Sequence, residues 1–252
     1  MTAIATHTSI VFNRELKPLI REPFALLFTT VQPLVFLGLF GPLLSQVTGL
    51  PTGSSLQWFV PGIIVMSALF GASTTGSNLQ LEMQTGSHER MLVTPLCREA
   101  LLLGRAFKEI VPVLAQGLLI VAVSIPFGFE LEVPGLLIGL PMVATFAVGL
   151  GALSYALALA SEGNEMMFWM VQQTLIFPLM LLSGMLLPLE GGPGWMQGLS
   201  KVNPLTHLVD AERALFAGEL TDRAVAYGAL SAVAVAAVGL WVGLRMIRRG
   251  SA

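Results

Sequence analysis

The chain has 252 residues, 54% of them hydrophobic and 11% charged, with a formal net charge of -2, where a soluble domain carries about 25% charged residues. This composition excludes an ordinary soluble domain, and the lack of a basic balance excludes a general pull toward nucleic acid. A single cysteine, Cys97, and three scattered histidines exclude an intrachain disulfide and a multi-cysteine metal cluster.

The first 22 residues hold Arg14, Glu15, Lys17, Arg21 and Glu22. That is not the basic, apolar, small-residue order of a cleaved signal peptide, so the first apolar run is expected to stay as an anchor. The mixed pattern from His7 to Ile20 suits a helix over about residues 7–22 lying along the cytoplasmic interface. A solvated tail is the alternative.

From Pro23 to Leu81 no residue is charged, although a crossing needs only about 20 apolar residues. The run therefore predicts two spans, about 24–47 and 57–81, with a turn where Gly49, Pro51, Gly53 and Ser54 break the pattern. Further spans are predicted at about 106–129, 133–160, 166–188 and 223–245. The fold class is thus an all-α integral membrane protein, one transmembrane domain over 1–252 with six transmembrane helices.

An even number of spans puts both termini on one side, and Lys/Arg bias decides which. Ten of the 13 Lys and Arg residues fall on the side of the termini and of the loop between spans 2 and 3; Lys201, Arg213 and Arg223 fall on the other. Both termini are expected in the cytoplasm, with the chain in the plasma membrane.

The cytoplasmic loop predicts a short helix from a Ser87 cap to about Val93, with Glu89 in the first turn, where the helix dipole favours an acid. Thr94 and Pro95 then make a corner and restart a helix leading into span 3. Met91, Leu92 and Val93 either pack under the spans or insert into a partner. Beyond span 5, Asn203 and Pro204 predict an outer helix over about 205–217 that ends at Gly218 and lies on or dips into the outer interface.

Within the spans, Gln32, Ser73, Thr74, Asn78, Gln172, Gln173 and Thr174 either line a translocation path or hydrogen-bond between helices. None of the six predicted span cores contains Asp, Glu, Lys, Arg or His, which argues against an ion-coupled secondary transporter. Glu162 and Glu165 at the cytoplasmic end leave that reading one possible site. A membrane enzyme would have His207 with Asp210 and Glu212, or Ser183, as its candidates; polar residues on the wet face of an outer helix are the plainer reading. No Gly-x-x-x-x-Gly-Lys-Ser/Thr phosphate loop occurs, so energy must come from a partner or a gradient. Gly135 with Gly139, and Gly239 with Gly243, permit close helix contacts.

The segment Glu82-x-x-x-Gly86-Ser87-x-Glu89-Arg90-x-Leu92-x-Thr94-Pro95, followed by Leu102-Leu103-Gly104-Arg105, resembles the cytoplasmic loop of type-2 ABC exporter permeases of the daunorubicin-resistance kind. Phe59-Val60-Pro61-Gly62, Leu182-Ser183-Gly184-Met185-x-x-Pro188, Pro193-Gly194-Trp195 and Asn203-Pro204-Leu205-Thr206 are similar to other parts of the same family in the same order. The resemblance implies a membrane subunit without an ATPase site, paired with a second permease and with cytosolic ABC ATPase subunits that bind ATP and Mg. It makes Ser87, His88, Glu89, Arg90, Met91, Leu92, Val93, Thr94, Pro95 and Arg98 a coupling element. It makes the helix bearing Arg14, Lys17 and Arg21 a connecting helix, and the segments between spans 5 and 6 outer re-entrant helices.

The implied cargo is a hydrophobic or amphipathic antibiotic or a lipid. A lipid-linked glycan or polysaccharide is the alternative cargo. The first outer loop, about ten residues, is too short for a folded outer domain. The Glu190-Gly191-Gly192 insertion departs from the family pattern beside the outer gate.

Overall fold

The computed structural model describes the backbone of residues 2–21, 23–44, 55–161, 164–189 and 191–249. The turn expected at Gly49 to Ser54, and Glu162 and Glu190, lie outside the described residues. Every described regular element is helical, as a chain that must satisfy its backbone within an apolar medium requires.

The N-terminal helix α1 (Thr2–Arg21) is followed by the apolar α2 (Pro23–Leu44) and the long α3 (Ser55–Gln84). A short helix, α4 (Ser87–Leu92), links α3 to α5 (Arg98–Lys108), which continues with a break at Glu109 into α6 (Ile110–Ser124). Then come α7 (Val133–Ala160), α8 (Glu165–Leu181), the short α9 (Gly194–Ser200), α10 (Pro204–Phe216) and α11 (Arg223–Arg249).

By length and composition four helical stretches can cross a bilayer: Ser55–Gln84, Arg98–Phe127, Val133–Ala160 and Arg223–Arg248. The third expected span thus belongs to a helix that begins at Arg98 rather than inside the membrane. At 17 residues, α8 is about 26 Å long, short of the roughly 30 Å hydrocarbon core.

Helix α7 is central, packing on α3, α5, α6, α8, α10 and α11. Its crossing with α11 is set by Gly149 and Gly239: a methyl group added at Gly239 would strike the Gly149 backbone, and one at Gly149 would strike Val235. Removing Cβ at both positions brings the helices to backbone contact, where many small dispersion contacts accumulate. Two apolar cores result. One lies around Phe59, Ile63, Val143, Phe146, Leu208 and Phe216, and the other around Val11, Leu79, Leu102, Tyr155 and Phe168.

The two ends of the bundle differ. One end gathers α1, α4, the start of α5, the end of α11 and Arg14, Arg90, Arg98, Arg105 and Arg248; it is called the basic end below. At the other end α8 stops at Leu181, Gly184 turns the chain with φ 71°, and α9 and α10 follow. The Asn203 side chain caps α10 by accepting from the Leu205 N–H at 3.0 Å, as its place before Pro204 predicts. Its amide donates to the Leu179 carbonyl at 2.7 Å and the Thr206 hydroxyl donates to that of Leu182 at 3.1 Å. These bonds satisfy carbonyls that the end of α8 leaves without helical partners.

Candidate coupling site and span polar groups

At the end of α3 the chain reverses through Gly86, whose φ of 66° suits a residue without Cβ. The cap of α4 is therefore Gly86, and Ser87 is the first helical residue with no side-chain capping bond, unlike the expected Ser87 cap. Arg90 turns back: its Nε donates to the Gly86 carbonyl and its Nη2 to the Thr85 carbonyl, both at 3.1 Å. A cation on the last carbonyls of a helix satisfies their lone pairs and opposes the negative helix end. Arg90 thereby fixes α4 on α3.

The Thr94 hydroxyl closes the other end by donating to the Met91 carbonyl at 2.6 Å. Thr94 and Pro95 do not start the next helix. Residues 96–97 are extended and α5 begins at Arg98 with Cys97 in the cap position, because the Cys97 N–H is held by His7 Nδ1 of α1 at 3.1 Å. Met91 and Leu92 are half-buried against the second core, so they pack under the spans. His88 is buried, and burial, aided by the Arg105 charge, lowers its pKa below the usual imidazole range. What faces outward is Glu89, Arg90, Thr94, Pro95, Arg98 and Val93, an apolar side chain 85% exposed.

Beneath this element lies an ionic cluster with no single-residue sequence signal. The Arg105 side chain is 4% exposed, pairs with Glu82 of α3, approaches Glu15 of α1 at 3.4 Å and lies over the Tyr155 ring of α7 at 5.5 Å. Arg14 adds contacts to Glu15 at 3.2 Å and Glu82 at 3.3 Å. Nearby, a methyl group at Gly104 would strike Val11, so α1 and α5 touch closely. Of the expected connecting-helix cations, Arg14 joins this cluster, and Lys17 and Arg21 are exposed.

The polar span residues divide. Ser73 and Gln172 are buried and meet through Ser154, whose Oγ lies 2.8 Å from the Ser73 carbonyl and 3.0 Å from Gln172 Oε1. Those two hold α3, α7 and α8 together. Gln32, Thr74, Asn78, Gln173 and Thr174 are exposed, with the Thr74 hydroxyl spent on the Gly71 carbonyl at 2.7 Å.

Two acids are buried that no local pattern marks: Glu109, and Glu212, which the sequence puts with His207 and Asp210 on a wet face. Glu109, next to Lys108 at 3.1 Å and bonded to the Thr75 hydroxyl, is 1% exposed at the break between α5 and α6. Glu212 on α10 is fully buried with neither oxygen hydrogen-bonded, and burial pushes its pKa to about 8. The i, i+3 spacing of His207 and Asp210 signalled a wet face. The same helix's buried face, one turn on, is visible only once α7 and α11 cover it.

A profile of the ABC-2 type transporter matches residues 6–217. The chain belongs to the ABC-2 type transporter family. Its ABC-2 relatives include ycf38 of Cyanophora paradoxa, whose name describes a transport permease, at 30% identity over 83% of this chain and 76% of that protein. DrrB1 of Streptomyces coeruleorubidus, a daunorubicin resistance ABC transporter permease protein, is 24% identical over 78% of this chain and 70% of that one. DrrC of Mycobacterium tuberculosis, named for doxorubicin resistance, is 26% identical over 84% and 77%. As an ABC-2 permease the chain is a multi-pass membrane subunit that works with a separate ABC ATPase subunit. The missing phosphate loop agrees with that division of labour.

Proposed function

We propose that this permease exports hydrophobic or amphipathic molecules, antibiotics or lipids, from the cytoplasm or inner leaflet across the plasma membrane. The observation that carries the reading is the outward side of α4, with Val93 and Glu89 exposed on a short helix bolted to α3 by Arg90 and to α1 through Cys97 and His7. A groove in the ATPase would receive that side, and the connecting helix α1 would rest on the same subunit. ATP and Mg are bound by the ATPase pair, and a second permease, identical or different, completes the complex.

The membrane holds six crossings in this account: α2, α3, α5 with α6, α7, α8 and α11. The basic end faces the cytoplasm because Lys and Arg are retained there, and α9 and α10 are the outer re-entrant helices. ATPase closure pushes α4; the Arg105 cluster passes the push to α1, α3, α5 and α7, and a route opens between two permeases. The exposed Gln32, Thr74, Asn78, Gln173 and Thr174 line that route, while Ser73 and Gln172 brace it. The names of the daunorubicin and doxorubicin resistance relatives support a lipophilic drug as cargo.

The test is co-purification with candidate ATPases, reconstitution in lipid and measurement of vanadate-sensitive ATP hydrolysis with and without lipophilic drugs. Drug-stimulated hydrolysis is expected. An absence of any associating ATPase contradicts the reading.

A further inference from the structure

Glu212 has no part in the coupling account, yet it occupies an unusual place. Its side chain is 0% exposed, neither carboxyl oxygen has a hydrogen-bond partner, and the carboxyl fills the notch left by the missing Cβ of Gly139 on α7, where a methyl group would overlap it. The same face of α10 carries Leu205, Leu208, Ala211 and Leu215, all buried.

Among the described residues no cation faces this carboxyl. Its neighbour Arg213 turns the other way, donating from Nε to the Trp58 carbonyl and from Nη2 to the Gly184 carbonyl, with Asp210 at 3.7 Å. The helices packed most on α10 are α3, α7 and α11, while α8 meets its first turn through the Leu179 and Leu182 carbonyls and α9 through Ser200 and the Lys201 carbonyl. The ionisable groups on these helices are Glu82, Tyr155, Glu165, Arg223, Tyr227, Arg245, Arg248 and Arg249, with Glu165 at the start of α8 beside Gln84 and Arg249 the last residue of α11. Glu82, Tyr155, Arg245 and Arg248 sit toward the basic end; Arg223 and Tyr227 stand in the first turns of α11, with Tyr227 against the ring of His207. From the loops, Glu132 approaches Gly218 beyond the end of α10. None supplies a charge that holds Glu212 ionised; burial is the single cause acting on it.

An ionised carboxylate without a partner does not persist in an apolar interior, and the group takes up a proton instead. We propose that Glu212 is a proton-binding site of the outer gate: neutral while α10 is seated on α7, ionised when α10 lifts away, so that each opening releases one proton outside and each closure takes one back. No proton crosses the membrane in this exchange, and none is consumed.

The sign follows from linkage. The seated form binds the extra proton, so its advantage is full below the ordinary carboxyl value of 4.5, falls as pH rises, and is spent above about 8. In between, the seated-to-lifted ratio falls by about tenfold per pH unit. An alkaline exterior favours the open gate.

This inference rests on the placing of α10 at the outer face, and its test needs no ATPase, so its failure leaves the transport reading to the vanadate experiment. The full chain is reconstituted in phospholipid vesicles and the carbonyl band of a protonated carboxyl is followed by infrared spectroscopy. The expected result is a band present at pH 6.5, lost at pH 9, and missing from Glu212→Gln. In parallel, Leu208→Cys is labelled with a membrane-impermeant maleimide and read at that peptide, so that Cys97 does not contribute. Labelling relative to the same cysteine in the Glu212→Gln background is expected to rise by about tenfold per pH unit between pH 6 and 8. Glu212→Leu serves as the second neutral control if the glutamine variant does not fold. A spectrum without the band at pH 6.5, or labelling whose pH dependence is the same with and without the carboxyl, overturns the proposal.

Discussion

Arg105 and Glu82 form an ion pair that joins α5 to the end of α3, 23 residues apart in sequence. Because the Arg105 side chain is only 4% exposed and Glu82 is 20% exposed, the pair sits at a semi-dry junction beneath α4. Replacing Arg105 with Met leaves Glu82 and Glu15 to the more exposed Arg14 beside Tyr155. Breaking a buried pair costs about 3 to 5 kcal/mol, and the partial hydration of both carboxylates places the expected loss at or below the lower bound. Thermal unfolding in detergent is expected to show a clear drop for Arg105→Met and a smaller one for Glu82→Gln.

Arg90 and Glu89 are neighbours with different duties. Arg90→Ala removes two charge-assisted bonds to backbone carbonyls, each worth about 1.5 to 3 kcal/mol at most and less at this exposed site. Glu89→Ala removes a side chain that makes no hydrogen bond or ion pair among the described residues. Proteolysis within the loop is expected to speed up for Arg90→Ala alone, whereas both variants are expected to weaken capture of the ATPase.

His88 gives α4 a pH dependence. Its pKa is lowered by burial and by Arg105, so the docked form of α4 binds fewer protons than the undocked form. Docking is full above the ordinary imidazole value of 6.5 and weakens as pH falls below it. Coupled ATP hydrolysis is expected to fall between pH 6.5 and pH 5.5 more steeply in the native protein than in His88→Gln, assayed with the same ATPase.

Asn203 carries both a cap and a strut. Asn203→Ala loses the cap on α10, about 1 kcal/mol, and also leaves the Leu179 carbonyl without its 2.7 Å donor. Hydrogen exchange at the amides of α10 is expected to accelerate while that of α7 is unchanged. Asn203→Asp keeps the acceptor but not the donor, and is expected to fall between the two.

Much of the frame was legible because its signals are local. The apolar runs and the Asn203-Pro204 cap each work through a few neighbouring residues. Detail failed where a distant partner decided it. Thr94 and Pro95 carry a good helix-start pattern, yet His7 takes the Cys97 N–H and the helix starts at Arg98. The Met91 and Leu92 side chains read as packing residues or as docking residues, and only the second core resolves them. Glu212 reads with His207 and Asp210 as part of a wet face, and nothing local marks Glu109 as buried. Their burial is made by Thr75, Gly151 and Gly139, residues far away in sequence.

The central claim is that the exposed side of α4 transmits ATPase closure to the spans. It is tested most directly by replacing Val93, 85% exposed, with Asp and measuring drug-stimulated, vanadate-sensitive ATP hydrolysis in reconstituted complexes of matched permease content. A tenfold or greater loss of stimulation, with thermal unfolding unchanged, is the predicted result. Full stimulation in both Val93→Asp and the Val93→Asp, Glu89→Ala double variant contradicts the account.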